Sequence, residues 1–395
     1  MQLSLKNRIR INRAEISGSF GDIGTDLPLL VGMILASGLH APSVLIVFGF
    51  AQIASALFYG IPMPVQPLKA VAALVIAGGI SASEIYGAGV SVGLIMLLLT
   101  VSGLLESLRK AIPKSVIRGM QLGLGLKLAM LSVLAYVPSD GVRGLMLACA
   151  CVLLVLLLGK SQKCPAALPV IVIGLVYALS FNVGIDTFRD SFGVAIPRVA
   201  GFTKADMLQG LIVLALPQIP LSLGNSLLAT HQMASDLFPE RKLKIRTIGY
   251  TYSFFNIVCP LFGGVPVCHG SGGMAGHYVF GGRTGGSVLI YGCLLLVFGC
   301  LWGNGFESVV RIFPLPVLGV ILITEGVTLM RFTRDVVSDR PQLLVALVTA
   351  LCAIALPYGF LVGLIVGTVL AYLSRAIFVS GHRSESVCSM EATNA

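Results

Sequence analysis

FYGIPMPVQPLKA, residues 58–70, and FGGVPVCHGSGGM, residues 262–274, decide how this chain folds. The first places Pro62, Pro64 and Pro67 in quick succession. Prolines at that spacing remove backbone donors and push the residues before them out of the helical region. The second flanks Pro266 with glycines on both sides, which suits helix no better. Aligned without gaps at an offset of 204, the two match at Phe58/Phe262, Gly60/Gly264, Ile61/Val265 and Pro62/Pro266. Upstream, SFGDIG and SLGNSL match at an offset of 203 (Ser19/Ser222, Gly21/Gly224, Asp22/Asn225). Downstream, IPKSVI and FPLPVL match at 201 (Pro113/Pro314, Val116/Val317). Three matches in one order at nearly one offset indicate an internal duplication.

The surroundings of both stretches are apolar. Hydrophobic residues make up 56% of the chain and charged residues 11%, and the mean hydropathy is +0.93. Soluble globular chains carry about 25% charged residues, so most of this surface must face lipid or other helices. Fourteen hydrophobic segments are legible: 18–38, 42–60, 66–80, 88–107, 114–135, 142–159, 166–183, 208–230, 246–262, 270–280, 285–303, 312–330, 341–356 and 359–379. A membrane span needs roughly 20 apolar residues, and the third and tenth segments are too short to span alone. An offset of about 203 covers seven segments. Seven is odd, so the second copy enters the membrane from the opposite side, the inverted repeat of many secondary transporters.

The net charge of +10 does not indicate a nucleic-acid partner, because the charges sit in short clusters between apolar runs. Fourteen crossings put both termini on one side. Assigning that side to the cytoplasm places the Lys/Arg clusters at 6–13, 109–118, 160–163, 241–246, 331–340 and 375–383 inside. Arg143, Arg189, Arg198, Lys204 and Arg311 remain outside, the asymmetry the positive-inside rule expects. The expected layout is a cytoplasmic N-terminus (1–17), a first repeat (18–183), an extracytoplasmic linker (184–207), a second repeat (208–380) and a cytoplasmic tail (381–395). The opening MQLSLKNRIRINR lacks the apolar core of a cleavable signal peptide. The nine cysteines are scattered, with no metal-ligand spacing, and read as small buried hydrophobes. No metal or other cofactor is expected.

Extended backbone at membrane depth is tolerated where it is buried in protein or lines a cavity. The two broken stretches are therefore expected to pair, each followed by a half-helix, one from about Pro67 and one from about Ser271. Pro67 suits a first helical turn and Ser271 a cap. Two helix starts aimed at one point make an anion site, lined by Gln66, Lys69, Asn225, His269, Gly270, Ser271 and Gly272. Lys69 adds a full positive charge, or else pairs with a carboxylate. Asp22 and Asp26, four apart on one helix face, either couple ion movement or balance Lys69 and Lys127. Glu325, deep in the twelfth segment, is a proton-carrier candidate or a structural hydrogen-bonding group. Gln121 and Lys127 are polar positions in the fifth segment. His269 donates to substrate or pairs locally, and its neighbour Cys268 makes no chelate with it. Gly123, Gly125, Gly224, Gly272 and Gly273 are expected at close helix contacts.

At these residues the chain resembles the plant-type molybdate transporters, a branch of the sulfate permease superfamily. The resemblance rests on PVQPLKAVAA (64–73), on FGGVPVCHGSGGMAG (262–276) with Tyr278, Phe280, Gly281, Arg283 and Gly285, and on GSFGDIGTDLPL (18–29) and PLSLGNSLLATHQMASDLFP (220–239). Met274 and Gly276 are small departures from the pattern. The resemblance implies a fold shared with uracil permeases. A core domain (spans 1–4 and 8–11) would move against a gate domain (5–7 and 12–14), with substrate between the third and tenth spans. It implies import of molybdate, with tungstate or sulfate as related tetrahedral anions and an anion permease of other selectivity as the alternative. By fold analogy alone it implies pairing into homodimers. Plasma and internal membranes both remain open, and no enzyme motif is present.

Overall fold

The computed structural model describes residues 8–105, 107, 111–158, 167–181, 193–301 and 314–374. The clusters at 160–163 and 375–383, Arg189, Arg311 and the tail 381–395 lie outside the described residues. Fourteen helical segments follow one another. The first is two helices, Arg13–Ser19 and Ile23–Ser37. Next come Ala41–Tyr59, Lys69–Gly78 and Ala82–Ser102. The fifth to seventh are Lys114–Leu131 with a π-helical extension Ser132–Tyr136, Gly141–Leu158 and Ala167–Phe181. The eighth runs from Lys204 to Leu237 with two π-helical stretches. The rest are Ile245–Leu261, Ser271–Val279, Gly286–Leu301, Leu315–Arg331, Arg340–Ala355 and Gly359–Ser374. Among the described residues, seven of these are long and apolar enough to cross a membrane. The chain is an integral multi-pass membrane protein.

Local chemistry sets several boundaries. His40 accepts from the Ser43 amide at the start of the second span, and Gly60 ends it in the left-handed region at φ 65, where a side chain is strained. Ser81 with Glu84 and Thr203 with Asp206 form reciprocal capping boxes at the fourth and eighth spans.

The duplication is visible in the packing. The second span packs on the eleventh and the fourth on the ninth; these pairs exchange under the repeat. The fifth packs on the twelfth, its own counterpart, and Gly125 and Gly326 meet there at each other's backbone. The fifth also packs on the thirteenth, as the twelfth does on the sixth.

At the centre of this arrangement two short strands pair antiparallel. They are β1, Gln66–Pro67, and β2, Val267–Cys268, with Gln66 opposite Cys268 and Pro67 opposite Val267. A matched pair of amides holds the approach to them. Gln52 Nε2 donates to the Val65 carbonyl at 2.7 Å, and its Oε1 accepts from the Val65 amide at 2.9 Å. Asn256 does the same for Val267, at 2.6 and 3.0 Å. Both amides are fully buried, so backbone that leaves the helix still finds the partners that water would otherwise supply.

Two expected boundaries are corrected. Pro67 does not open the half-helix: it occupies β1, and the helix begins at Lys69. Ser271 is the first helical residue rather than the cap, a position that Gly270 takes without a side-chain bond. In both cases the ladder pulls neighbouring residues into extended backbone.

Candidate functional site

The half-helices Lys69–Gly78 and Ser271–Val279 leave the ladder with their N-termini beside a cavity of about 570 Å³. Gln66, Lys69, Gly270, Ser271 and Gly272 line it, together with Lys114, Arg118 and Phe332. Three cationic side chains therefore border one cavity.

The two helix starts are not equivalent. Gln218, on the eighth span and 3% exposed, accepts from the amides of Ala70 and Val71 at 3.1 and 3.3 Å. Two of the free N–H groups of the first half-helix are thereby taken. Gln218 is itself oriented by Ser222, which receives its Nε2 at 3.0 Å and bonds Tyr252 at 2.6 Å. Among the described residues, no side chain caps the second half-helix. A methyl group on Gly272 would meet nothing within 4 Å, so the peptide at this start is open to the cavity. The expectation of two open helix starts is corrected to one.

Asp22 and Gln66 build the wall behind that open start. Gln66 Nε2 donates to both carboxylate oxygens of Asp22, at 2.7 and 2.8 Å. Methyl groups on Gly270 and Gly273 would fall on Gln66 and Asp22 respectively. Both glycines are required by close approach, as expected for Gly273. Gly123 and Gly125 also face neighbouring helices. Gly224 and Gly272 do not: the nearest atom to a methyl on Gly224 is Ile117 Cδ1 at 4.0 Å, and both residues line the cavity. They are small because the cavity is there.

Lys69 is 31% exposed to the cavity and pairs with Glu325 of the twelfth span, Nζ to Oε2 at 3.1 Å. The other Glu325 oxygen accepts from Thr25 at 3.2 Å. Of the two readings of each residue, the pairing of Lys69 with a carboxylate and the hydrogen-bonding role of Glu325 are present in this state. Asp26 is fully buried, and its carboxylate oxygens have no hydrogen-bond partner among the described residues.

His269 is buried and engaged on both ring nitrogens. Nδ1 lies 3.1 Å from the Pro64 carbonyl, which makes it the protonated one, and Nε2 accepts from Thr251 at 2.9 Å. Its ring stacks edge-on against Tyr59 and Phe255. The imidazole thus ties β1 to β2, and the residue contributes backbone to the site. Asn225 lies on the π-helical stretch Ser222–Ala229; its side chain is outside the described residues. Gln121 accepts from Arg118 at 2.9 Å, and Lys127 stands 5.9 Å from the Phe360 ring. Neither lines the cavity. Of the other two cations lining the cavity, Lys114 pairs with Asp335 at 3.1 Å, and Arg118 shares the same carboxylate.

The second hallmark stretch continues past the site to Gly285, and a different residue accounts for that part. Glu15, buried in the first span, accepts from the Arg283 and Thr284 amides and the Thr284 hydroxyl at 3.1, 2.9 and 2.9 Å. Its second oxygen accepts from the Ser287 amide at 2.9 Å. One carboxylate thus secures the turn into the eleventh span. Neither Glu15, just after the basic N-terminal cluster, nor Gln218, in an apolar run, carries a signal in the sequence beyond being polar.

The profile of a family described as "Molybdate transporter of MFS superfamily" matches residues 14–128 and 210–329. Molybdate transporter 1 of Arabidopsis thaliana is 33% identical over 370 residues, 82% of this chain and 81% of that one. Molybdate transporter 2 of the same plant is 33% identical over 397 residues, covering 88% and 85%. Molybdate transporter 1 of Chlamydomonas reinhardtii is 28% identical over 477 residues, covering 91% and 92%. Among solved structures, the transmembrane domain of the cyanobacterial bicarbonate transporter BicA aligns with a TM-score of 0.63 at 20% identity, over 91% of this chain and 97% of that one. The murine anion transporter Slc26a9 in its inward-facing state aligns at 0.66 with 12% identity, over 94% and 70%. Those two likenesses concern the fold. They agree with two seven-segment halves, whereas the superfamily named in the description is built from two six-helix halves.

Proposed function

The chain belongs to the molybdate transporter family, and from that premise we propose that it imports molybdate, held in the cavity between the two half-helices. It is a transporter and not an enzyme. The observation that carries the reading is the uncapped N-terminus at Ser271–Gly272 sharing one cavity with the Lys69 ammonium. A tetrahedral dianion accepts hydrogen bonds from all directions. The helix start supplies backbone donors and a positive dipole end, and Lys69 supplies a full charge. Gln66 is committed to Asp22, so it shapes the wall more than it contacts the anion. Asp22 and Asp26 stand next to the site as cation-coupling groups.

Spans 1–4 and 8–11 form the core that holds the half-helices, and spans 5–7 and 12–14 form the gate. With both termini cytoplasmic, the end of the cavity bordered by Lys114 and Arg118 faces the cytoplasm. These two cations raise the local concentration of anions at that mouth.

The test is uptake of molybdate by the purified protein in liposomes. Lys69→Ala should abolish uptake in protein that still purifies as a folded species; normal uptake would remove the site. Unlabelled sulfate or tungstate added in excess measures selectivity. Sulfate that suppresses uptake as well as molybdate does would recast the protein as a general permease for tetrahedral oxyanions.

A further inference from the structure

We infer that Glu325 is a built-in substitute for the substrate: it neutralises Lys69 when the carrier is empty, and the incoming anion displaces it. The inference rests on the proposed anion site at Lys69 and deepens it. Among the described residues, Glu325 makes the direct ion pair to Lys69, at 3.1 Å. Of the other carboxylates beside the half-helix, Asp22 is already bound by Gln66 through both oxygens and Asp26 is fully buried. Glu325 reaches across from the second repeat, on the twelfth span, while Lys69 and its second partner Thr25 belong to the first repeat. The pair is therefore also a tie between the two groups of spans. Lys69 is 31% exposed and lines the cavity, while Glu325, 14% exposed, meets the cavity through its pairing with Lys69. A dianion arriving there can take the carboxylate's place beside the ammonium.

The physical consequence concerns the return of the empty carrier. To carry substrate, the site must close to water on its way between the two faces. A buried ammonium without a partner is strongly disfavoured, and one paired with a carboxylate is far less so. The loaded carrier crosses with the anion as partner of Lys69. The empty carrier crosses with Glu325 as partner. Removing the charge of Glu325 therefore leaves the loaded step intact and blocks the empty one. Exchange of anion for anion uses the loaded step alone, whereas net uptake needs both.

Glu325→Gln keeps the shape of the side chain and its acceptor for Thr25 while removing the charge. Liposomes carrying this variant are assayed twice: for net molybdate uptake into empty vesicles, and for exchange of labelled molybdate outside against unlabelled molybdate inside. Net uptake is expected to fall roughly 100-fold, the low end of what an unpaired buried charge produces. Exchange should stay within about threefold of the unmodified protein, and the apparent affinity for molybdate should rise because an internal competitor is gone. Glu325→Asp, which retains the charge on a shorter arm, should recover part of the net uptake and covers the case in which the glutamine variant does not fold. Equal loss of both activities in folded protein, or no change in either, would overturn the inference and leave the anion site standing. Unmodified protein that performs neither reaction would remove the molybdate reading and this one with it.

Discussion

Replacing Gln52 by leucine isolates what the duplicated amide clamp contributes. Gln52 is fully buried and holds both polar groups of Val65, the N–H at 2.9 Å and the carbonyl at 2.7 Å. Leucine leaves both groups unpaired in a place that water does not reach. An orphaned buried group costs about 1–3 kcal/mol, so the variant should lose about 2–6 kcal/mol. Asn256→Leu should lose a similar amount, because Val267 is held the same way and the extra bond to Tyr252 duplicates an ordinary helix carbonyl contact. The assay is the apparent melting point of the detergent-purified protein, with Phe50→Leu, a change at an exposed lipid-side position, as the reference. Gln52→Glu refines it. An ionised glutamate still accepts from Val65 but cannot donate to it, so it should fall at least halfway toward leucine. Because Val65 and Val267 adjoin opposite ends of one ladder, the double variant should lose less than the two singles together. Single variants that melt within about 1 °C of the reference would refute the idea that backbone satisfaction at the break is a main source of stability.

Two further perturbations follow from contacts at the half-helices and the first span. Gly272→Ala faces open space and should fold normally, gaining up to ~1 kcal/mol of helix propensity, whereas Gly273→Ala collides with Asp22 and Gln66 and should lose about 1–3 kcal/mol; equal melting points for the pair would contradict the geometry. Glu15→Ala strips partners from three backbone amides and the Thr284 hydroxyl, so its melting point should drop by an amount corresponding to at least 3 kcal/mol, and unaltered melting would show that the turn at Arg283–Ser287 needs no such anchor.

What the sequence makes legible here is periodic or repeated: the apolar runs, the paired breaks and the common offset. Those features predict fourteen segments, their inversion and the meeting of the two broken stretches. The ladder register and the starts of the half-helices are less accessible, because Pro67 reads equally as a first helical residue or an edge-strand residue. Only a partner 200 residues away decides between them. Gln52, Gln218, Asn256 and Glu15 escape for a related reason. The first three are polar side chains in apolar helices and Glu15 lies in a short polar one, and the role of each is defined by the distant backbone it touches. Gln52 and Asn256 do share the offset of 204 that aligns the breaks, so scanning buried-type amides at the repeat spacing would have found that pair. Gln218 has no such counterpart, and its effect, closing one helix start while its twin stays open, is invisible to any reading based on symmetry.

The two-residue ladder has a mechanical meaning as well. It rivets one repeat to the other through main-chain bonds and the imidazole strut of His269. A pull on either half-helix is transmitted to its mate, so the floor of the cavity travels as one rigid carriage. Under the transport proposed above, cargo resting on it would be ferried between compartments while the paired helices beneath keep their mutual spacing.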